Sequence, residues 1–422
     1  MSIVHVSTEV SGGAGVFAKS IHIAMQELGM SSVLVTRERN DVEDTVIIKP
    51  LTRVEKSLRS RRLKILGKLG LIDNKYATFG IEKSPVEFSD IQHALASRQP
   101  QAFIFYWVSY FVSFKCMFEL RRAYPDIPFV FICLDEGFLA GGCHYSWGCH
   151  GYEGTCNNCP ATFSPFRKRR IEQELHQRVA MISAINPIVL YPTTNLQQMG
   201  KKSAVLKSLR SAVVPLGAVS SREQNSVLVS ANRKASGIRV KKEKLILLVR
   251  SSGEYRKGCD LFVAAIKKLS AKIPDLRLRL EVISIGDATL KNAQIDNYVD
   301  HTYLGLVPRK ELLSIYEKAD ALIVTSREDA GPLMINECVA LGKFVISTSV
   351  GVANDLIIDN QNGLIIQDLT SDAISDSLVM FLETCQGSRA EIMRQPIPGI
   401  NSSQLTFEGY VGAMMDIIKV AS

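Results

Sequence analysis

Apolar residues recur along the chain in short, nearly unbroken runs. They are IVHVS (3–7), SVLVT (32–36), AFIFYWV (102–108) and PFVFICL (128–134) in the first half, then KLILLVR (244–250), LRLEVISIG (278–286), ALIVTS (321–326) and KFVISTSV (343–350) in the second. Runs of this kind, rich in β-branched and aromatic residues, predict strands covered on both faces, as in a parallel sheet. Between them the apolar period becomes helical, predicting helices over 14–28, 259–272, 309–319 and 332–341. Strand and helix alternate through two successive blocks, which predicts an α/β protein of two doubly wound domains. The Ser-, Asn- and charge-rich stretch 213–245 lies between the blocks and places the boundary near residue 215. Apolar positions at Leu405, Phe407, Val411, Met414, Met415 and Ile418 predict a packed terminal helix over 401–422, giving domains of 1–215 and 216–400 ahead of it.

Composition supports a globular reading. At 422 residues with 46% hydrophobic content the chain is long enough for more than one core. It holds no run of eighteen apolar residues, which argues against a spanning helix. The opening MSIVHVSTEV reads as a strand, without the basic head and apolar middle of a secretory signal, so a cytoplasmic location is expected. The net charge of +8 is uneven, with +6 of it in residues 1–205. Two basic runs dominate, EKSLRSRRLKILGKLG (55–70) and RKRR (167–170). They favour anionic partners such as phosphates or lipid headgroups, the alternative being a solvated basic face. No aromatics are interleaved with these charges, so a nucleic-acid partner is not expected.

Candidate chemistry gathers at two turns of the second half. In SREDAGPLMINECVALGKFVI (326–346) a strand ends, REDAG turns, and a helix begins near Pro332 with Asp329 and Glu337 eight positions apart. Free N–H groups at that helix start, around Gly331, Pro332 and Leu333, suit a phosphate, while the two carboxylates suit sugar or ribose hydroxyls. The competing reading is that acidic residues here merely cap the helix. About eighty residues earlier, LILLVRSSGEYRKGCDLF (245–262) is a strand, a glycine loop and a helix start, with Arg250, Arg256 and Lys257 placed to neutralise a diphosphate. In the first half, STEVSGGAGVFAKSIHIAMQELG (7–29) sets Gly12 and Gly13 in a turn before a helix, where backbone can approach a ligand.

These residues resemble the retaining GT-B glycosyltransferases of family 4, over nearly the whole chain. Lys257-Gly258, the Asp329 and Glu337 pair, GKFVI (342–346) and SVGVANDLI (349–357) are similar to that family's motifs. The resemblance implies two Rossmann-like domains facing a cleft, with the C-terminal helix packing across. It also implies transfer of a hexose-type sugar, with retention of configuration, from a UDP- or GDP-sugar to a glycan or polyprenyl-diphosphate-linked acceptor in polysaccharide biosynthesis. Lys257 and an arginine would bind the diphosphate, Asp329 or its neighbour Glu328 would contact the transferred sugar, and Glu337 would hold the ribose. The glycine loop would face donor and acceptor. No cofactor is obligatory. The acceptor side would be the basic first domain, whose 57–70 segment would rest as an amphipathic helix on the inner face of the plasma membrane.

The segment CLDEGFLAGGCHYSWGCHGYEGTCNNCP (133–160) sets Cys143, Cys149, Cys156 and Cys159 within seventeen residues, beside His144 and His150. The residues leave open a structural zinc site, disulfides or packed free thiols. This cluster is similar to that of a bacterial subgroup of exopolysaccharide and colanic-acid type. That subgroup carries a His-Asp pair where this chain has Leu134-Asp135, and the family carries an arginine where this chain has Ser252. Asp135 would keep its catalytic role, while Leu134 implies altered donor or acceptor preference, compensation by His144 or His150, or lost activity. Two other functions fit the same residues: a nucleotide-sugar-binding scaffold without turnover, and an epimerase or hydrolase acting without an acceptor.

Overall fold

A computed structural model describes residues 2–76, 84–227, 244–386 and 402–420. Residues 228–243 of the predicted 213–245 linker lie outside them, as does the end of the predicted second domain at 387–400. The chain forms two compact units, Met1–Pro215 with Phe407–Ser422, and Leu216–Thr406.

The first unit is a seven-stranded, wholly parallel sheet. Its strands are β1 (Ser2–Val6), β2 (Ser32–Thr36), β3 (Thr45–Ile47), β4 (Pro100–Phe105), β5 (Phe129–Ile132), β6 (Ile188–Tyr191) and β7 (Ser211–Val213), in the order β3-β2-β1-β4-β5-β6-β7. Every residue of β1, β2, β5 and β6 is buried, which is why β1, β2 and β5 read as continuous apolar runs rather than alternating ones. The sheet's aromatic core includes Phe103, Phe105, Phe129 and Phe131, with ring centroids 5.1–6.2 Å apart in successive pairs. The terminal helix Phe407–Lys419 belongs to this unit and sets Tyr410 edge-on to Phe17 of the helix Gly12–Glu27, at 5.0 Å.

The second unit is a six-stranded parallel sheet of β8 (Leu245–Ser251), β9 (Leu280–Gly286), β10 (Asp300–Gly305), β11 (Ala321–Val324), β12 (Phe344–Thr348) and β13 (Gly363–Ile366), in the order β10-β9-β8-β11-β12-β13. Two apolar clusters cover its faces. One is built on Phe262, Ile266 and Leu269 of the helix Cys259–Lys272, the other on Ile335, Cys338 and Val339 of the helix Leu333–Ala340. Each such side chain adds about 1.5–3 kcal/mol by leaving water.

In both sheets the strand order reverses beside a central strand, between β1 and β4 and between β8 and β11. Loops leaving the carboxyl ends of two such neighbours diverge to opposite faces and open a crevice, the usual place for a ligand in this architecture. Gly12 and Gly13 follow β1, Arg256 and Lys257 follow β8, and Glu328 and Asp329 follow β11. No helix among the described residues is long and apolar enough to cross a membrane.

Candidate functional site

In the second unit the loop after β8 and the loop after β11 are clipped together. Gly258 makes this contact possible: its φ is +66°, and a Cβ there would stand 1.9 Å from the Thr325 carbonyl oxygen. Arg327 donates its backbone N–H to the Arg256 carbonyl at 2.6 Å and its guanidinium to Asp260, lying 4.0 Å over the Tyr255 ring. So fixed, Lys257 and Arg256 both reach Asp329 Oδ2, Arg256 Nη1 at 3.3 Å. Burial alone would raise the pKa of Asp329, but Lys257 and Arg256 outweigh it and hold the carboxylate below its ordinary range. Burial lowers the pKa of Lys257 against the pull of Asp329, and Arg250 is among the cations that act on it. Glu328, beside them, has its pKa raised by burial and by the Asp329 charge.

The helix Leu333–Ala340 starts one position later than predicted, with Pro332 outside it as the N-cap. Beneath the turn, Gly351 (φ +51°) leaves no room for a Cβ, which would meet the Asp329 carbonyl and the Gly331 nitrogen at 2.9 Å. The 349–352 turn thereby braces the Asp329 loop.

Glu337 sits differently from the sequence expectation of a carboxylate open to hydroxyls. It is 3% exposed, and its two oxygens are engaged by Arg309 Nη1 and the Tyr316 hydroxyl. Arg309 also bonds the Ala218 carbonyl at 2.5 Å and Glu223 at 3.3 Å. Burial pushes the Glu337 pKa up, with Arg309 and Tyr316 opposing. Sequence reasoning missed Arg309 and Tyr316. Their spacing in an ordinary helix carries no sign of this pairing.

In the first unit, Gly12 (φ +71°) and Gly13 open the helix after β1, and the space beside Gly13 is clear. The donors just ahead of them are already bonded: Glu38 Oε2 accepts from the N–H groups of Val10 at 2.8 Å and Ser11 at 2.9 Å. Burial would raise the pKa of Glu38, but these bonds and the Ser11 hydroxyl lower it. Glu38, unmarked in the sequence, therefore shapes the glycine turn.

Asp135 follows β5, and its Oδ2 lies 2.7 Å from His144 Nδ1; on the other side of the ring, His144 Nε2 lies 3.1 Å from the hydroxyl of Ser109, which follows β4. Asp135 Oδ1 accepts from Gly137 N–H at 2.8 Å. His144 is buried, and of the two histidines it is the one that reaches Asp135; exposed His150 bonds Glu153 at 3.0 Å.

The zinc expectation does not fit the described residues. Cys143, Cys149, Cys156 and Cys159 are free thiols, and among the described residues no group of three His, Cys, Asp or Glu side chains is set to hold a metal ion. Burial raises the Cys143 and Cys159 thiols and pushes Cys156 to about 11, and neighbouring cysteines of the cluster act in the same direction.

With the site described, similarity to known proteins becomes decisive for the second unit. Residues 230–395 match the family of glycosyl transferases group 1. A D-inositol 3-phosphate glycosyltransferase of Corynebacterium aurimucosum is 30% identical over 137 residues, which cover 30% of this chain and 32% of that protein. The chain thus spans about a third of the length of that curated relative. Two solved structures are similar over all of both chains. One is the sucrose-phosphate synthase of Thermosynechococcus elongatus (TM-score 0.62, 16% identity), the other Anabaena HepE in complex with UDP (TM-score 0.57, 13% identity). At these identities they establish the GT-B fold.

Proposed function

We propose that the protein is a retaining hexosyltransferase of the family 4 type, taking sugar from a UDP- or GDP-sugar and delivering it to a glycan or lipid-linked glycan in polysaccharide biosynthesis. One observation carries the reading: in a group 1 domain, Lys257 and Arg256 from one loop converge on Asp329 from another, at the carboxyl ends of the two strands flanking the strand-order reversal. Two fixed cations there neutralise a leaving diphosphate, with Arg250 nearby and Gly331 and Leu333, on either side of Pro332 at the helix start, contributing backbone N–H groups. A resident metal is not required for this role.

On binding, the diphosphate takes over Lys257 and Arg256 and frees Asp329, with Glu328 alongside, for the hydroxyls of the transferred sugar. Ribose hydroxyls reach Glu337 in exchange for Arg309. In the reaction, the bond from the anomeric carbon to the phosphate oxygen breaks while the bond to the acceptor oxygen forms on the same face. The acceptor's proton passes to the departing phosphate, so no protein nucleophile is needed, and the enzyme contributes positioning and charge. Asp135, held by His144, orients the acceptor hydroxyl from the first unit, restoring with His144 what Leu134 lacks. The lipid-linked acceptor and the basic runs of the first unit support a working position at the inner face of the membrane. A screen of UDP-, GDP- and ADP-sugars for thermal stabilisation, followed by anomeric analysis of the product, tests the reading. Binding without transfer would favour the scaffold alternative, and turnover without acceptor the epimerase or hydrolase.

A further inference from the structure

The helix Arg53–Lys68 has good ends but no core. Thr52 caps it by accepting from Glu55 N–H, Glu55 and Lys68 complement its dipole, and none of its sixteen residues is buried. Its Leu58, Leu63 and Leu66 instead line a cavity of about 510 Å³, together with Ile72, Tyr76 and the Cys-rich segment. Arg59, Arg62 and Arg167 line the same cavity, and among the described residues none of the three is paired with a carboxylate. The other charges are matched: Glu55 with Arg37, Lys56 with Glu9 and Glu174 with Arg170. Arg59 stacks 4.2 Å over Tyr110, a residue whose backbone is held in the left-handed region (φ +61°).

The surroundings of the cavity are apolar as well. A bridge between Ile72 and Thr162 ties its two walls together, so exposed Leu69 and Leu71 lie on one side of that tie and Phe163 and Phe166 on the other, the phenylalanines 68% and 88% exposed. Unmatched guanidinium groups favour a phosphate. Leucine walls favour hydrocarbon, and exposed aromatics beside basic residues suit a membrane–water boundary. A flat headgroup layer would use the basic face and leave the interior of the cavity without a partner. A nucleotide or free sugar would leave the leucines without one.

We propose that this cavity binds a lipid with a phosphate-bearing head on a long hydrocarbon chain, the chain lying against Leu58, Leu63 and Leu66 and the phosphate against Arg59 and Arg62. The proposal deepens the acceptor reading above and rests on it, locating the lipid part of the acceptor in the first unit.

The test titrates the full chain with geranylgeranyl diphosphate, inorganic pyrophosphate, geranylgeraniol and phosphatidylglycerol vesicles, alongside UDP. The expected result is that the isoprenoid diphosphate binds at least tenfold more tightly than pyrophosphate or the alcohol. The double variant Arg59→Ala, Arg62→Ala and, separately, Leu63→Gln are each expected to weaken it at least tenfold. These side chains are exposed or half-buried, so both variants should fold, as circular dichroism would verify, and both should bind UDP like the parent chain. Equal binding of pyrophosphate and the isoprenoid diphosphate, or vesicle binding that loses its strength in the arginine variant while the isoprenoid diphosphate does not bind, would overturn the proposal. Loss of UDP binding in the parent chain would instead count against the donor reading and leave the lipid result standing by itself.

Discussion

His144 and Asp135 share a hydrogen bond of 2.7 Å, and the same imidazole meets Ser109 at 3.1 Å on its far side. A carboxylate can only accept, so Nδ1 carries the proton of that bond, and the Ser109 hydroxyl is at hydrogen-bond distance from Nε2. Replacing His144 by Phe strands a buried hydroxyl and removes a carboxylate's partner, at a cost of about 1–3 kcal/mol. Thermal unfolding should show a drop of several degrees. On the proposed function, sugar transfer should fall more than donor affinity, because Asp135 loses its orientation while the second unit is untouched; equal losses in both would contradict this.

Gly258 is the hinge pin of the donor loops. Ala in its place faces both a left-handed backbone and the Thr325 carbonyl, so Gly258→Ala should destabilise the protein by more than about 1 kcal/mol and displace Lys257. Denaturant titration and UDP affinity measure the two effects separately. Ala at Gly13, where the space is open, should leave stability nearly unchanged.

The pair of Glu337 and Arg309 is buried at its acidic end. Removing the cation leaves a desolvated carboxylate with only Tyr316 as partner, so Arg309→Met should cost about 3–5 kcal/mol in chemical denaturation. Glu337→Gln, which keeps a hydrogen-bonding group without the charge, should cost less. The reverse order would contradict the ion-pair account.

Acid should weaken the protein partly through Asp329. Its folded pKa lies below the unfolded value, so between the two the unfolded chain binds more protons and stability rises with pH. This contribution is fully present above about 4, the unfolded value, and is lost as pH falls through the folded pKa. Asp329→Asn should therefore flatten the acid limb of a stability-against-pH curve; an unchanged limb would show that the pair carries no such linkage.

The sheets were legible because strands buried on both faces cannot alternate, and runs such as SVLVT announce themselves. Asp300–Gly305 and Gly363–Ile366, the edge strands of the second sheet, were not predicted: the first is half exposed along its length and the second is four residues beginning with glycine. The short strands Thr45–Ile47 and Ile188–Tyr191 were also missed. Lys257 and Asp329, both picked out from local motifs, come together in the structure. The partners of Glu337 were not, since Arg309 and Tyr316 meet it through tertiary packing 28 and 21 positions away. The cysteine spacing was read toward metal, and the structure shows why spacing alone is weak: four nearby thiols supply a site only if three or more point at one place.

The central claim is that Lys257 and Arg256 hold a nucleotide sugar's diphosphate. Isothermal titration of UDP- and GDP-sugars against the parent chain and Lys257→Met tests it most directly. The account predicts saturable binding of at least one donor by the parent chain and a loss of tenfold or more in the variant, with the fold intact by circular dichroism. Equal affinity in the two proteins would contradict it.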